Sequence, residues 1–235
     1  MAWYDFFTPS SVAKHGRRAQ DRDLQAEDRM QSMRWLADQK TPEALYALSK
    51  RFDLQLEHHL KDRTEKEAVI DMLLEAGPVG GEAARAHARH SPNFQHSVRA
   101  IERLEGAAAA VQVLLELLAH ETVENEFHPE KKRTLLLTLA ERKHPSIPAA
   151  AMRFLVDFDE GVRHAAVEAI AAQDGDEARG AMQAALANPK EESTRVRGRL
   201  AEVFANRGWP IDDDAWLAEH LPGGYALQAG RLTRR

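Results

Sequence analysis

An all-α fold, built by stacking copies of one helix pair, is predicted by three features of the sequence. The first is self-similarity. A Val-Arg dipeptide stands at 98–99, 162–163 and 196–197, with gaps of 64 residues (two steps of 32) and 34 residues. The skipped step falls at Glu130-Lys131, where the cation is kept. Six residues before Arg99, Lys131, Arg163 and Arg197 stand Asn93, Asn125, Asp157 and Glu191. A period near 32 residues is the mark of one supersecondary unit copied and stacked. The second feature is composition: the chain is 43% hydrophobic but only 6% aromatic, rich in Ala and Leu. That mix lets helices approach closely, and no β-branched alternating run competes. The third is punctuation, because helix-start and helix-stop residues fall at matching places in successive copies.

The elements follow in order. Residues 10–38 read as one or two helices, with Gly16 as the break between them. Thr41-Pro42-Glu43 is a helix start, with a Thr cap, Pro in the first position and an acid in the first turn. Leu45, Leu48 and Phe52 give that helix one apolar face. Thr64 and Glu67 have capping-box spacing, so the next helix is expected to start near Thr64 and to stop at Gly77-Pro78. Helix pairs are then expected over 80–90 and 94–105, 107–120 and 129–143, 147–156 and 160–173, and 176–187 and 191–207. Asp212-Asp213-Asp214 can cap a last helix running to Leu221, and Pro222-Gly223-Gly224 releases a tail. Stacked arrays need specialised ends. The expected organisation is therefore an N-terminal helical cap over 1–40, a repeat array over 41–209 and a C-terminal capping helix and tail over 210–235.

The paired polar residue and cation have a plain physical use. The loop acid can accept hydrogen bonds from the helix start, and the guanidinium six residues on can pair with it. Asn93, Asn125, Asp157 and Glu191 are thus expected to be structural struts within each repeat, each exposed one stabilising by ~0–1 kcal/mol. The alternative is a ladder in which Arg99, Lys131, Lys132, Arg163 and Arg197 bind a partner.

The run Leu155 to Ile170, with its acidic turn, Val-Arg and Ala-rich helix, resembles the second-helix signature of HEAT-type α-solenoid repeats. The resemblance covers roughly residues 41–209 and implies about five HEAT-like antiparallel helix pairs. It also implies a protein-binding scaffold, since such repeats serve mainly that task. Some relatives are enzymes, among them DNA-alkylation glycosylases, bilin lyases and a diiron hydroxylase, so shape follows from the resemblance more firmly than activity.

The residues themselves offer little chemistry. The formal charge is −5, so nothing global draws the chain to nucleic acid, and there is no Cys for disulfides, thiolate metal sites or nucleophilic catalysis. No apolar stretch is long enough for a membrane span and the N-terminus lacks signal-peptide features, so a soluble cytoplasmic protein is expected. A diiron centre needs several converging ligands, and His120-Glu121 is a single pair. His87 and His90, three apart on a helix, could hold a metal but are expected at the solvated surface. His96, His128, His144 and His164 recur near second-helix starts, where the helix dipole lowers a His pKa. Basic clusters at Lys14-Arg18, Lys131-Arg133 and Arg195-Arg199 could touch phosphates or lie on mixed solvated faces. No catalytic residue, cofactor or metal ligand is assigned.

Trp3, Tyr4, Phe6 and Phe7 put four large rings into the first seven residues. Such a segment is expected to dock, either on its own first helices or on a partner or second copy. The sequence therefore points to a non-enzymatic protein-interaction scaffold whose partner is another protein. The rival is a HEAT-like enzyme acting on DNA or on a protein-bound cofactor.

Overall fold

The computed structural model describes residues 11–123, 129–212 and 215–235. Among them the chain forms thirteen α-helices and one two-stranded hairpin, so the all-α expectation holds in its coarse form. The chain divides into two compact units, Met1–Val113 and Leu114–Arg235. No helix among the described residues is long and apolar enough to cross a membrane.

The first unit holds α1 (Ser11–Ala19), α2 (Ala26–Gln39), α3 (Pro42–Ser49), α4 (His59–Glu75), α5 (Pro78–His90) and α6 (Gln95–Glu105). Alternate helices pack on one another: α1 on α3 and α3 on α5, then α2 on α4 and α4 on α6. The core is the set of apolar stripes that this layering brings together, including Met33, Leu36, Leu45, Leu48, Phe52, Val69, Ile70, Leu73 and Ile101. Thr41 caps α3 as expected, its hydroxyl accepting the Ala44 N–H at 3.3 Å, with Pro42 in the first position. Gly80 lets α5 lie against α4, since a Cβ there would sit 2.0 Å from the Leu73 carbonyl oxygen.

Two boundaries differ from the sequence expectation. Gly16 lies buried inside α1 rather than breaking it, and a Cβ there would come within 3.3 Å of the Ala47 Cβ. Its smallness serves packing against α3. The turn falls after Ala19 instead. The helix expected from Thr64 starts at His59, with His58 Nδ1 accepting the Lys61 N–H, and the Thr64 hydroxyl donates to the Leu60 carbonyl in mid-helix. A Thr with an acid three residues on fits a helix interior as well as a start, because such a hydroxyl can bond the carbonyl four residues back.

Helix α7 (Ala107–Ala119) contains the boundary between the units. The second unit continues with α8 (Pro129–Ala140), α9 (Ser146–Met152), α10 (Glu160–Ala171), α11 (Arg179–Leu186), α12 (Thr194–Arg207) and the short α13 (Ala215–Glu219). Helix α8 packs on α10 and α10 on α12, repeating the alternate-helix pattern. Phe154, Val162, Ile170, Met182, Leu200 and Phe204 are buried there.

The tail expected after Gly224 is instead a hairpin of β1 (Tyr225–Gln228) and β2 (Arg231–Arg234), paired Gln228 to Arg231 through a two-residue turn. Ala229 and Gly230 both adopt positive φ, 49° and 73°, as the tightest hairpin turn demands. Leu232 is only 2% exposed, β2 packs on α12, and the Ile211 N–H donates to the Gly230 carbonyl at 2.8 Å. Four-residue strands carry too little alternation to be read from sequence, and Ala-Gly is a weak turn signal.

Candidate interaction surface

The turns that open α10 and α12 are built alike. Asp157 accepts the Asp159 N–H at 3.0 Å, and Asp159 caps α10 by accepting the Val162 N–H at 2.9 Å. Thirty-four positions on, Glu191 accepts the Ser193 N–H at 2.9 Å, and Ser193 caps α12 by accepting the Val196 N–H at 3.1 Å. The loop acid orders the capping residue, which closes the helix start.

The loop acids accept N–H groups at their helix starts as expected, but the cation each carboxylate meets is not the one six residues on. The Asp157 carboxylate pairs with Lys132 Nζ of α8 at 2.6 Å, and both residues are buried, at 2% and 1% exposure. Arg163 reaches only the backbone of its own turn, donating to the Asp157 and Phe158 carbonyls at 3.0 and 2.9 Å. Its other N–H groups grip both carboxylate oxygens of Glu191, at 2.6 and 2.9 Å. Asp157 has turned its carboxylate onto its own turn and the ammonium of α8, which leaves the guanidinium to the next turn along.

In the first unit Arg99 of α6 pairs with Glu67 of α4 at 2.7 Å, and Arg103 with Asp71 at 3.0 Å. Asn93 is exposed. Its N–H is held by the Ser91 hydroxyl at 2.9 Å, and its side chain donates to Asp53 at 3.4 Å. Lys131, one place from the buried cation, pairs with Glu121 at 2.8 Å. Arg197 lies over the Trp216 ring, 4.9 Å from its centre, and donates to the His220 carbonyl. Trp3, Tyr4, Phe6, Phe7 and Asn125 lie outside the described residues.

Two features of the second unit suit a docking surface. Val156 and Phe158, on either side of buried Asp157, are 65% and 68% exposed. The Asp157–Lys132 pair anchors this turn to α8 while Val156 and Phe158 present apolar side chains to water. Beside it, linked through Arg163, the turn before α12 borders a cleft of about 670 Å³ lined by Glu191, Glu192, Thr194, Arg197, His220 and Pro222.

Periodicity alone missed a buried charge cluster in the first unit. Glu65 of α4 accepts from Arg29 at 2.8 Å and Arg51 at 2.8 Å, while Asp62 accepts from Arg51 at 2.9 Å and Lys66 at 2.8 Å. Burial pushes the Asp62 carboxyl up, but the Lys66 and Arg51 hydrogen bonds outweigh it and hold its pKa below the usual value. No spacing rule joins positions 29, 51, 62 and 65. The one available signal was the charge density of α4 on a helix that must pack on two neighbours.

Two histidines of the first unit, His87 and His96, pack against the Phe52 ring. His87 is buried, with Ser97 Oγ 2.9 Å from Nδ1 and Asp53 3.1 Å from Nε2. This has the outline of a nucleophilic triad, but Ser97 is fully buried and no substrate carbonyl can reach it. Burial lowers the His87 pKa despite the opposing Asp53 carboxylate. The surface position expected for this residue is thus corrected: α6 and the turn after α3 cover it. His96 stacks on Phe52, and burial, more than any helix dipole, brings its pKa to about 4, with Lys66 and Arg99 adding to the shift. His144 precedes α9, a first helix of its pair rather than a second. Among the described residues no three His, Asp or Glu side chains converge as a metal site.

No protein-family model, curated protein or solved structure matches this chain at a significant level.

Proposed function

We propose that this protein is a non-enzymatic protein-binding scaffold, an α-solenoid of about five HEAT-like pairs, that engages its partner through the turns of its second unit. The observation that carries this reading is the exposed Val156 and Phe158 on a turn locked by a buried ion pair. Large apolar side chains on a rigid, exposed turn lose little entropy on docking. The neighbouring cleft provides a concave surface beside them.

Basic residues that could have served a phosphate backbone are largely engaged. Arg18 meets Asp28, Lys132 meets Asp157, and Arg199 meets Glu168 and Glu202. This lowers the charge available to nucleic acid and supports a protein partner.

The test is comparative affinity capture from the source cell with wild type and a Val156→Ser/Phe158→Ser variant. A partner retained by wild type and lost by the folded variant supports the reading. An unchanged set of captured proteins, or purified protein that excises a modified base, overturns it. Deleting residues 1–8 in the same assay tests whether the aromatic segment is a second contact.

A further inference from the structure

The second unit contains a chain of rungs in which the cation of one helix holds the turn acid of the next. Lys132 holds Asp157, 25 residues on, and Arg163 holds Glu191, 28 residues on. Arg197 occupies on α12 the place of Arg163 on α10. Each is the fourth residue after its capping residue, and each backbone N–H bonds that residue's carbonyl, Asp159 or Ser193, at 3.1 and 3.0 Å. Continued by 25–28 residues from Arg197, the pattern reaches Pro222-Gly223-Gly224-Tyr225, which has no carboxylate. Among the described residues Arg197 pairs with no acid. The Trp216 ring and the His220 carbonyl, at the end of the short α13, are its contacts. A guanidinium held over an aromatic ring and by one carbonyl still has N–H groups that can serve a carboxylate.

Arg197 lines the cleft of about 670 Å³ together with Pro189, Leu221 and Pro222, which give it apolar walls. Glu191 also lines it, but both its oxygens are taken by Arg163. Glu192 is exposed and lines the same cleft, so it opposes a run of acids.

We infer that this cleft docks a peptide segment of a partner protein through a single Asp or Glu, whose carboxylate takes on Arg197 the rung that Asp157 and Glu191 fill on α8 and α10. The segment carries one acid among apolar residues, because Glu192 repels an acidic tract and the prolines and Leu221 favour apolar neighbours. The inference rests on the scaffold reading above, and adds the chemistry of the partner and the residue that reads it.

The test is selection of random dodecapeptides displayed on phage against the immobilised full chain, followed by synthesis of the strongest binder and of its Asp→Asn or Glu→Gln counterpart. The expected binder carries one essential acid. Its Kd should rise at least about ten-fold on amidation and in Arg197→Ala, less in Arg197→Lys, and not at all in Arg99→Ala. Thermal melting confirms that each variant is folded. Binders indifferent to Arg197→Ala overturn the inference; if they fail on the Val156→Ser/Phe158→Ser variant, the scaffold reading stands without it. The inference also falls if no peptide binds, if free succinate but no peptide shifts the Arg197 NMR signals, or if wild type self-associates through Arg197, making a second copy the occupant.

Discussion

Arg163 and Glu191, 28 residues apart in the chain, form a two-pronged pair at 2.6 and 2.9 Å that ties the turn before α12 to the start of α10. The Arg163 side chain is partly exposed, whereas the link from α8, Lys132 with Asp157, is fully buried. The same chemistry therefore carries different energetic weight at successive steps. Burial decides the outcome when one partner is removed.

Asp157→Ala is expected to destabilise the fold by about 3–5 kcal/mol, because it removes the buried carboxylate paired with the Lys132 ammonium, which also donates to the Thr122 carbonyl at 3.2 Å. A turn acid acting only as a cap would lose ~0.5–2 kcal/mol. Urea denaturation discriminates between the two. The double variant Asp157→Leu/Lys132→Met should recover most of the loss, and a single-variant loss below about 1 kcal/mol would refute the buried-pair account.

Glu65→Leu removes the carboxylate shared by Arg29 and Arg51. Both guanidiniums are buried, so a loss of about 3–5 kcal/mol is expected. Glu65→Gln keeps the shape and some hydrogen bonds and should lose less. Hydrogen exchange of α2 and α4 amides should report the damage first in the first unit.

Acid should destabilise the protein through His96 before its carboxylates protonate. In the folded chain burial lowers the pKa of this His from its ordinary 6.5 to about 4. The unfolded chain therefore binds more protons in this window. The contribution is fully present above pH 6.5 and is lost as pH falls from 6.5 to about 4. Its size is on the order of 2 kcal/mol, the ring's partial exposure discounting the full shift. His87 and His164 are lowered in the same direction. In His96→Phe the slope of stability against pH over this window should flatten visibly in thermal melts at pH 7, 6, 5 and 4.5. An unchanged slope would show that His96 is not the group responsible.

Ala229 holds a φ of 49°, a conformation that Gly and Asn adopt with less strain. Ala229→Gly or Ala229→Asn is expected to stabilise the hairpin by about 0.5–1 kcal/mol. Leu232→Ala, which empties a buried site between β2 and α12, should cost about 2–4 kcal/mol. Amide exchange at Leu232 and Thr233 measures both.

Periodicity determined the helix pairs and the place of the turn acids, because stripe spacing and capping chemistry are local properties of the chain. Val162, Ile170, Val196 and Leu200 are buried where the repeat predicts, and Asp157 and Glu191 do brace helix starts. Tertiary structure decided which cation each acid meets. Position 163 is about one helical turn from its own capping residue, yet it grips the next turn's acid, and position 132 rather than 131 faces inward. It also decided that His87 is buried, that Glu65 joins two arginines, and that the end of the chain folds back as strands. Each depends on which surfaces of separate elements meet. A one-dimensional spacing carries no information about that, because partners 25 to 36 residues apart are chosen by packing and desolvation rather than by local backbone geometry.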